Sequence, residues 1–282
     1  MRLDAAAVLL QWATGGLVFL WVTTRRREVG LGYGWLMRAT FGLMALGAFG
    51  VGRLIGWSWG RDLASLGVFG ASMVALVVSV QRRRVGVAGQ RQTIERRSAR
   101  VATMTGIDRD VVTFDKTGPE FPPGLDLVAP IIGGLGLVAA GLASDGPWFT
   151  AVARLLVGAA FLGAVSDAML LGHWYLVQPG LGRAPLRELV RWTAATWPAE
   201  LVVLLLPTGM LSVLSGAVDD DYGGLLGWFW VACAVSTPIL VAVTWAALKE
   251  RQYSAVMAAT GLLYLAILTS FGMDLVARAI LS

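Results

Sequence analysis

The chain has few side chains with which to carry out chemistry in water. Only 15% of its 282 residues are charged, against about 25% in soluble domains, and it has one cysteine and one histidine. The lone Cys233 excludes an internal disulfide and a thiolate metal cluster. The lone His173 excludes bis-histidine haem ligation and leaves a zinc site without enough nitrogen or sulfur ligands. No nucleophile elbow or paired metal ligands occur, so the sequence indicates no catalytic residues and favours a protein that is not an enzyme.

Long apolar segments make up most of the remaining sequence. Hydrophobic residues account for 56% of the chain, and the mean hydropathy is +0.68. About 20 residues are needed to cross about 30 Å of hydrocarbon at ~1.5 Å per residue. Segments of roughly this length lie at residues 3–24, 34–52, 63–80, 127–143, 148–171, 193–214, 225–248 and 253–275. The sequence therefore predicts an all-α, multi-pass protein of the cell membrane, with residues 1–282 forming a single bundle of about eight transmembrane helices.

Basic residues are concentrated in alternate gaps between these segments. They lie at 25–27 with Arg38 nearby, at 82–116, at 183–191 and at 249–251, whereas the acidic run 219–221 falls in the opposite set of gaps. The positive-inside rule makes the basic gaps cytoplasmic and predicts that both termini are extracytoplasmic. The net charge of +5 follows membrane side rather than one helix face, so the expected acidic partners are lipid headgroups, not nucleic acid.

Residues 81–126 are predicted to form a basic cytoplasmic loop between the third and fourth spans. Its first half indicates either a short basic helix on the membrane surface or a solvated topology signal. Its second half contains Thr-Phe-Asp-Lys-Thr-Gly at 113–118, which resembles the phosphorylated aspartate segment of P-type cation ATPases. Pro119 and Glu120 then depart from that pattern, and 46 residues cannot hold the phosphoryl-transfer and nucleotide domains such chemistry needs. A turn at Asp115 is the simpler interpretation.

Two acidic residues are predicted to lie at membrane depth, where insertion of a charge costs about 2.5 to 3.5 kcal/mol. Asp167 is too short to reach an interface, which favours a functional or ion-paired role. Glu200 has two interpretations. It lies either at the depth of Asp167 on the next antiparallel helix, where the two carboxyl groups could share a proton, or in the first turn of a helix that begins at Pro198.

Basic residues near the ends of the spans have simpler interpretations. Arg154 and Arg38 are candidate intramembrane charges that are expected to extend to the headgroups, with pairing to a neighbouring helix as the alternative. Asp274 and Arg278 are four residues apart near the end of the eighth span, the spacing of an ion pair on a helix surface.

The densest polar and aromatic group of the sequence surrounds its only histidine. His173, Trp174, Tyr175 and Gln178 lie at the predicted cytoplasmic end of the fifth span, and they form the candidate site for a quinone headgroup or a lipid phosphate. An ordinary interfacial anchor is the alternative. No cofactor is indicated within the chain, because haem could be held by His173 only with Met169 or with a ligand from a partner.

Two functions remain open. The lack of catalytic groups favours a non-catalytic membrane subunit or scaffold of a larger assembly, such as a respiratory complex, with partner membrane subunits packed on its glycine-rich faces. The alternative is an ion- or proton-coupled transporter of a small solute, in which Pro207 and Pro238 would break helices and Asp167 and Glu200 would supply the coupling charges.

Overall fold

The computed structural model describes residues 4–83, 85, 99, 118–144, 146–178, 181–250 and 252–281, and this part of the chain is a bundle of helices. It contains nine α-helices and one 3-10 helix at Pro123–Leu127. The α-helices are α1 (Ala5–Thr24), α2 (Leu31–Ile55), α3 (Trp59–Gln81), α4 (Val128–Leu142), α5 (Trp148–Val177), α6 (Ala184–Leu205), α7 (Gly209–Leu214), α8 (Leu225–Ala247) and α9 (Tyr253–Ile280). Seven helical segments, namely α1 to α3, the 3-10 helix with α4, α5, α8 and α9, are long and apolar enough to cross a membrane. The predicted all-α polytopic architecture is confirmed.

The predicted basic surface helix and the 113–118 segment lie outside the described residues. The rest of the basic gaps meet at one end of the bundle, which we call the basic end. There Arg25 pairs with Glu188 across 2.6 Å, and Arg27 pairs with Glu120 across 2.5 Å. Contacts between helix ends that are distant in sequence therefore bring the arginines of these gaps together at one end of the bundle.

The predicted sixth span is not among the seven apolar helical segments and differs from its predicted form. α6 begins at Ala184 rather than at residue 193, and the helix is interrupted after Leu205 before α7 resumes. Pro198 consequently lies inside α6 and not in its first turn. The first turns of α6 are amphipathic, with Leu186 and Leu189 fully buried beside charged residues. Their mean hydropathy is therefore lower than that of an apolar span.

α1 and α5 form the centre of the bundle and touch through their backbones. A Cβ atom added at Gly15 would overlap the carbonyl oxygen of Ala159, and one added at Gly163 would overlap the backbone of Gly15. Only glycine permits helices to approach this closely. The close crossing brings the polar residues of α1 beside those of α5.

Two apolar cores surround this crossing. The larger contains α1, α2 and the second half of α5, with Tyr33, Phe41 and Leu171 fully buried. The smaller lies where α5, α6, α7, α8 and α9 meet, and its fully buried members are Phe161, Leu162, Met210, Met273 and Ala277. Cys233 is buried in the smaller core, as a small hydrophobic residue would be.

Asp220, in the acidic run before α8, fixes the start of that helix. Its Oδ1 accepts hydrogen bonds from the backbone N–H groups of Tyr222 and Gly224, and its Oδ2 accepts from Leu226 and Gly227, at 2.7 to 3.2 Å. Desolvation alone would raise the pKa of Asp220, but these four donors hold the pKa below its ordinary value. This carboxylate therefore serves as a helix cap.

Candidate functional site

A group of buried polar side chains borders the smaller core, and we call it the buried polar cluster. Its members are Gln11 on α1, Glu200 on α6, and Ser270, Asp274 and Arg278 on α9. The first four are completely inaccessible to solvent, and the Arg278 side chain is only 9% exposed. The cluster joins three helices that are remote in sequence at the half of the bundle away from the basic end.

Arg278 and Asp274 form the ion pair that their spacing predicts. The Nε atom of Arg278 donates to both carboxylate oxygens of Asp274 at 2.9 Å, and an amino nitrogen of the same guanidinium donates to the carbonyl oxygen of Arg154 at 3.2 Å. The pair is buried rather than on the surface, because α9 turns this face towards α5 and α6. Asp274 is thus held by a cation that is itself anchored to the backbone of α5.

Glu200 approaches the same ion pair from α6. Its carboxyl group interacts with that of Asp274 and with the guanidinium groups of Arg278 and Arg154. Like charges side by side in a low dielectric repel each other, and the two guanidinium groups offset that repulsion. Two carboxyl groups and two guanidinium groups therefore meet at this point of the bundle.

Gln11 reaches the ion pair across a glycine. A Cβ atom added at Gly158 would overlap Nε2 of Gln11 and would lie 3.1 Å from both an amino nitrogen of Arg278 and Oδ1 of Asp274. Because Gly158 has no side chain, the Gln11 amide occupies this space. Any larger residue at this position would separate α1 from the cluster.

Several polar atoms of the cluster have no hydrogen-bond partner within the described part of the chain. They are both amide atoms of Gln11, both carboxyl oxygens of Glu200 and the hydroxyl of Ser270. A buried polar atom without a partner costs roughly 1 to 3 kcal/mol. Unpartnered buried polar groups on α1, α6 and α9 therefore mark this part of the bundle as the candidate site.

The interruption between α6 and α7 begins after Leu205, five residues beyond Glu200. Pro207 cannot donate a backbone hydrogen bond, and Gly209 has a φ of +36° at a position where a Cβ atom would overlap the Leu204 carbonyl oxygen. Arg154 donates to the carbonyl oxygens released at this end of α6, at 3.0 Å to Val203 and 2.5 Å to Leu206. The guanidinium of Arg154 therefore caps the broken end of α6.

Asp167 lies elsewhere and is not paired with Glu200. It accepts a hydrogen bond from the hydroxyl of Tyr33 at 3.1 Å, and its second oxygen has no partner among the described residues. Along α5 it is 13 residues from Arg154, about 20 Å at the rise of an α-helix, whereas Glu200 interacts with Arg154 directly. The carboxyl group next to Glu200 belongs to Asp274, so a proton shared between Asp167 and Glu200 has no support in this geometry.

Arg38 is also placed in an ion pair. Its Nε and one amino nitrogen donate to the two carboxylate oxygens of Asp126, both at 2.7 Å, and its Cζ lies 4.7 Å from the centre of the Phe121 ring. Asp126 belongs to the 3-10 helix before α4. Both side chains are buried, and the ion pair corresponds to the alternative given for Arg38, which is pairing with a neighbouring helix.

The four residues around the histidine do not share one face of α5: Trp174 and Gln178 face one way, and His173 faces another. His173 Nδ1 lies 3.1 Å from the hydroxyl of Tyr264 on α9, whereas Trp174 donates to Gln178 at 3.0 Å and packs its ring edge-on against Tyr33. Tyr175 is buried. Consecutive residues of a helix are separated by about 100°, so these side chains do not line one cavity.

The haem ligands considered for this region do not suit each other. Met169 precedes His173 by one helical turn and packs against the larger core. Axial ligands approach a haem from opposite faces, which two residues of one straight helix cannot do. Among the residues that the structure describes, no group of three or more histidine, cysteine, aspartate or glutamate side chains could hold a metal ion.

Comparisons with known proteins give no relative from which a function could be transferred. No family model, no curated protein and no solved structure matches the chain.

Of the five members of the buried polar cluster, only Glu200 was predicted as a site residue. Asp274 and Arg278 were predicted as a surface ion pair, and Gln11 and Ser270 were not predicted at all. An amide in an otherwise apolar span is a signal that hydropathy averages conceal, and Gln11 is the only amide between residues 4 and 24. Ser270 offers no comparable signal, since serine is common in transmembrane helices. It is distinguished only by its position one turn before Asp274.

Proposed function

We propose that this protein is a proton-coupled transporter of a small anionic solute, and that Glu200 and Asp274 form its proton-binding pair. The observation that carries the proposal is the burial of Glu200 beside Asp274 at the interruption of α6. Intramembrane carboxyl groups are expensive, and transporters place their coupling sites where helices are broken. A scaffold would have no need of such a pair.

The charges of the cluster suggest how proton and solute are coupled. Glu200 and Asp274 together balance Arg154 and Arg278. A proton taken up by the carboxyl pair leaves one positive charge in excess, and a buried net charge is costly unless a counter-ion accompanies it. Protonation therefore favours binding of an anion, and binding of the anion favours protonation.

The polar atoms without partners suggest where the anion would be held. The Gln11 amide nitrogen lies beside the Asp274–Arg278 pair across Gly158, and the buried Ser270 hydroxyl is one turn before Asp274 on α9. These donors suit a small carboxylate or inorganic anion, and the surrounding apolar core excludes hydrated ions of larger size.

The alternative, a membrane subunit of a larger complex, rests on the scarcity of catalytic groups. That scarcity is equally compatible with a transporter, which needs few charged residues. We therefore rank transport first.

The test uses the full chain in proteoliposomes with a pH-sensitive dye inside. Acetate, lactate, chloride, nitrate and phosphate are added outside in turn, with sodium and neutral amino acids as other solute classes. We expect at least one anion to drive proton uptake and Glu200→Gln to reduce its rate at least tenfold, because the amide cannot carry the coupling proton. Glu188→Gln is the matched control, since Glu188 lies on the same helix but pairs with Arg25 and Arg26 at the basic end.

Two results would contradict the proposal. One is an unchanged rate in folded Glu200→Gln protein. The other is wild-type protein that moves protons with none of these solutes and is purified with stoichiometric partner subunits, which would favour the membrane-subunit function.

A further inference from the structure

A groove lies between α6 and α8, away from the buried polar cluster. It has a volume of about 320 Å³. Its walls are Val190, Ala194 and Trp197 from α6 and Pro238, Val241 and Trp245 from α8. Apart from Arg191, every residue lining it is apolar or aromatic.

The groove runs along the helices and opens near the basic end. Arg187, one turn into α6, donates to the carbonyl oxygen of Leu248 just after α8. The two helices are therefore antiparallel, with the start of α6 beside the end of α8. Trp245 is near that end, and Pro238 is seven residues deeper, about 10 Å at helical rise. A groove of this direction lies parallel to the bilayer normal, as a lipid acyl chain does.

Pro238 and Trp197 together form a fixed inner end of the groove. Pro238 cannot donate to the carbonyl oxygen of Ala234, and the indole nitrogen of Trp197 donates to this oxygen instead, at 3.2 Å. The bond joins α6 to α8 and holds the Trp197 ring across the inner end of the groove. The cavity is therefore formed before anything binds.

Arg191 stands at the outer part of the groove with its charge uncompensated. It is exposed and forms no hydrogen bond or ion pair within the described part of the chain. Arg187 on the same helix instead donates to Leu248. The aliphatic stem of an arginine packs on apolar surface while its guanidinium extends to the headgroups, where it binds phosphate through two donors.

We infer that this groove binds one anionic glycerophospholipid. The phosphate contacts Arg191, and one acyl chain lies between Trp245 at the opening and Trp197 at the inner end. The charge of Arg191 selects an anionic headgroup, and the apolar walls select a hydrocarbon chain. This inference does not depend on the proposed transport activity.

The test measures which lipids stay with the full-length protein. Protein is reconstituted with equimolar phosphatidylglycerol and phosphatidylcholine, extracted in mild detergent, and washed, and the bound lipids are quantified by native mass spectrometry. We expect wild-type protein to retain phosphatidylglycerol at least fivefold over phosphatidylcholine. Arg191→Gln should abolish this preference, and Ala242→Trp, which fills the groove, should abolish retention of both lipids.

Two control variants separate the groove from general surface effects. Lys249→Gln removes a basic charge at the same end, and Ala195→Trp adds a ring to an exposed position of α6 that does not line the groove. Both should retain phosphatidylglycerol as the wild type does. The inference fails if Arg191→Gln and Ala242→Trp keep the preference, or if Lys249→Gln loses it equally. It also fails if Ala242→Cys in the reconstituted membrane forms a disulfide with a second copy or with another protein.

Discussion

Arg38 and Asp126 illustrate how single residues tie the basic end of this bundle together. Their side chains are 4% and 3% exposed, and two hydrogen bonds join them. A buried ion pair stabilises the folded protein little relative to a pair of apolar side chains. Removal of one partner, however, leaves the other charge buried and uncompensated. The pair also fixes the 3-10 helix against α2.

A double-mutant cycle tests this pair. Asp126→Asn and Arg38→Leu should each lower the free energy of unfolding in detergent by about 3 to 5 kcal/mol, the usual cost of breaking a buried pair. Arg38→Leu combined with Asp126→Leu should recover a large part of that loss, because no unpaired charge remains. Additive losses in the double variant would show that the two side chains are not coupled. Arg26→Gln serves as a control, since the side chain of Arg26 is 56% exposed.

At the scale of the helices, the α1–α5 crossing depends on glycines that touch. Gly15 and Gly163 face each other, and neither has space for a methyl group. Gly50, on α2, has no atom within 4 Å of the position where a Cβ would be. Some glycines of these helices are therefore in contact with a neighbouring helix and others are not, and the sequence alone does not distinguish the two.

Substitution of these glycines by alanine should have opposite effects. Gly163→Ala should force α1 and α5 apart and lower the thermal midpoint of the purified protein, with a loss of roughly 1 to 3 kcal/mol from overpacking. Gly50→Ala should be neutral or stabilising by up to about 1 kcal/mol, because alanine favours the helix. Equal effects of the two substitutions on the midpoint would refute the close crossing.

α6 is the element that most affects the interpretation of the protein. Its start at Ala184 makes Glu200 a deep residue, and its end at Leu205 creates the carbonyl groups that Arg154 binds. An average of hydropathy misplaced it because its first turns carry Arg187 and Arg191 beside buried leucines. The helical spacing of leucines and arginines in residues 184–192 is the pattern that indicates a helix there.

At the scale of the whole molecule, the basic gaps come together at one end. Arg25 and Arg26 contact Glu188, and Arg183 contacts the carbonyl oxygen of Gln252. We propose that this end is cytoplasmic, since arginine-rich ends are retained on that side during insertion. Both termini would then be extracytoplasmic.

Reporter fusions test this orientation. Fusions at Val218 and at the C-terminus should report an external location, and a fusion at Gly106 should report an internal one, because adjacent gaps alternate in side. The reversed pattern would refute the assignment. A fusion at Gly182, within another basic gap, is a second internal control.

Much of the architecture was determined by the sequence alone. Long apolar runs leave the backbone no alternative to helices in hydrocarbon, because every N–H and C=O group must be bonded internally, and seven spans were predicted at nearly the observed places. Alternating arginine gaps likewise predicted which helix ends gather together. The i to i+4 spacing of Asp274 and Arg278 predicted their pairing.

Only the tertiary structure decided which buried groups face one another. Gln11, Glu200 and Asp274 are separated by more than 70 residues at every step, and periodicity within one helix cannot say which neighbour it will meet. The pairing of Arg38 with Asp126, and of Glu200 with Asp274 rather than Asp167, follows from rotation and depth of the packed helices. Rotation and depth are set by contacts between helices, such as the backbone contact of Gly15 with Gly163, and such contacts leave no pattern in the sequence of either helix.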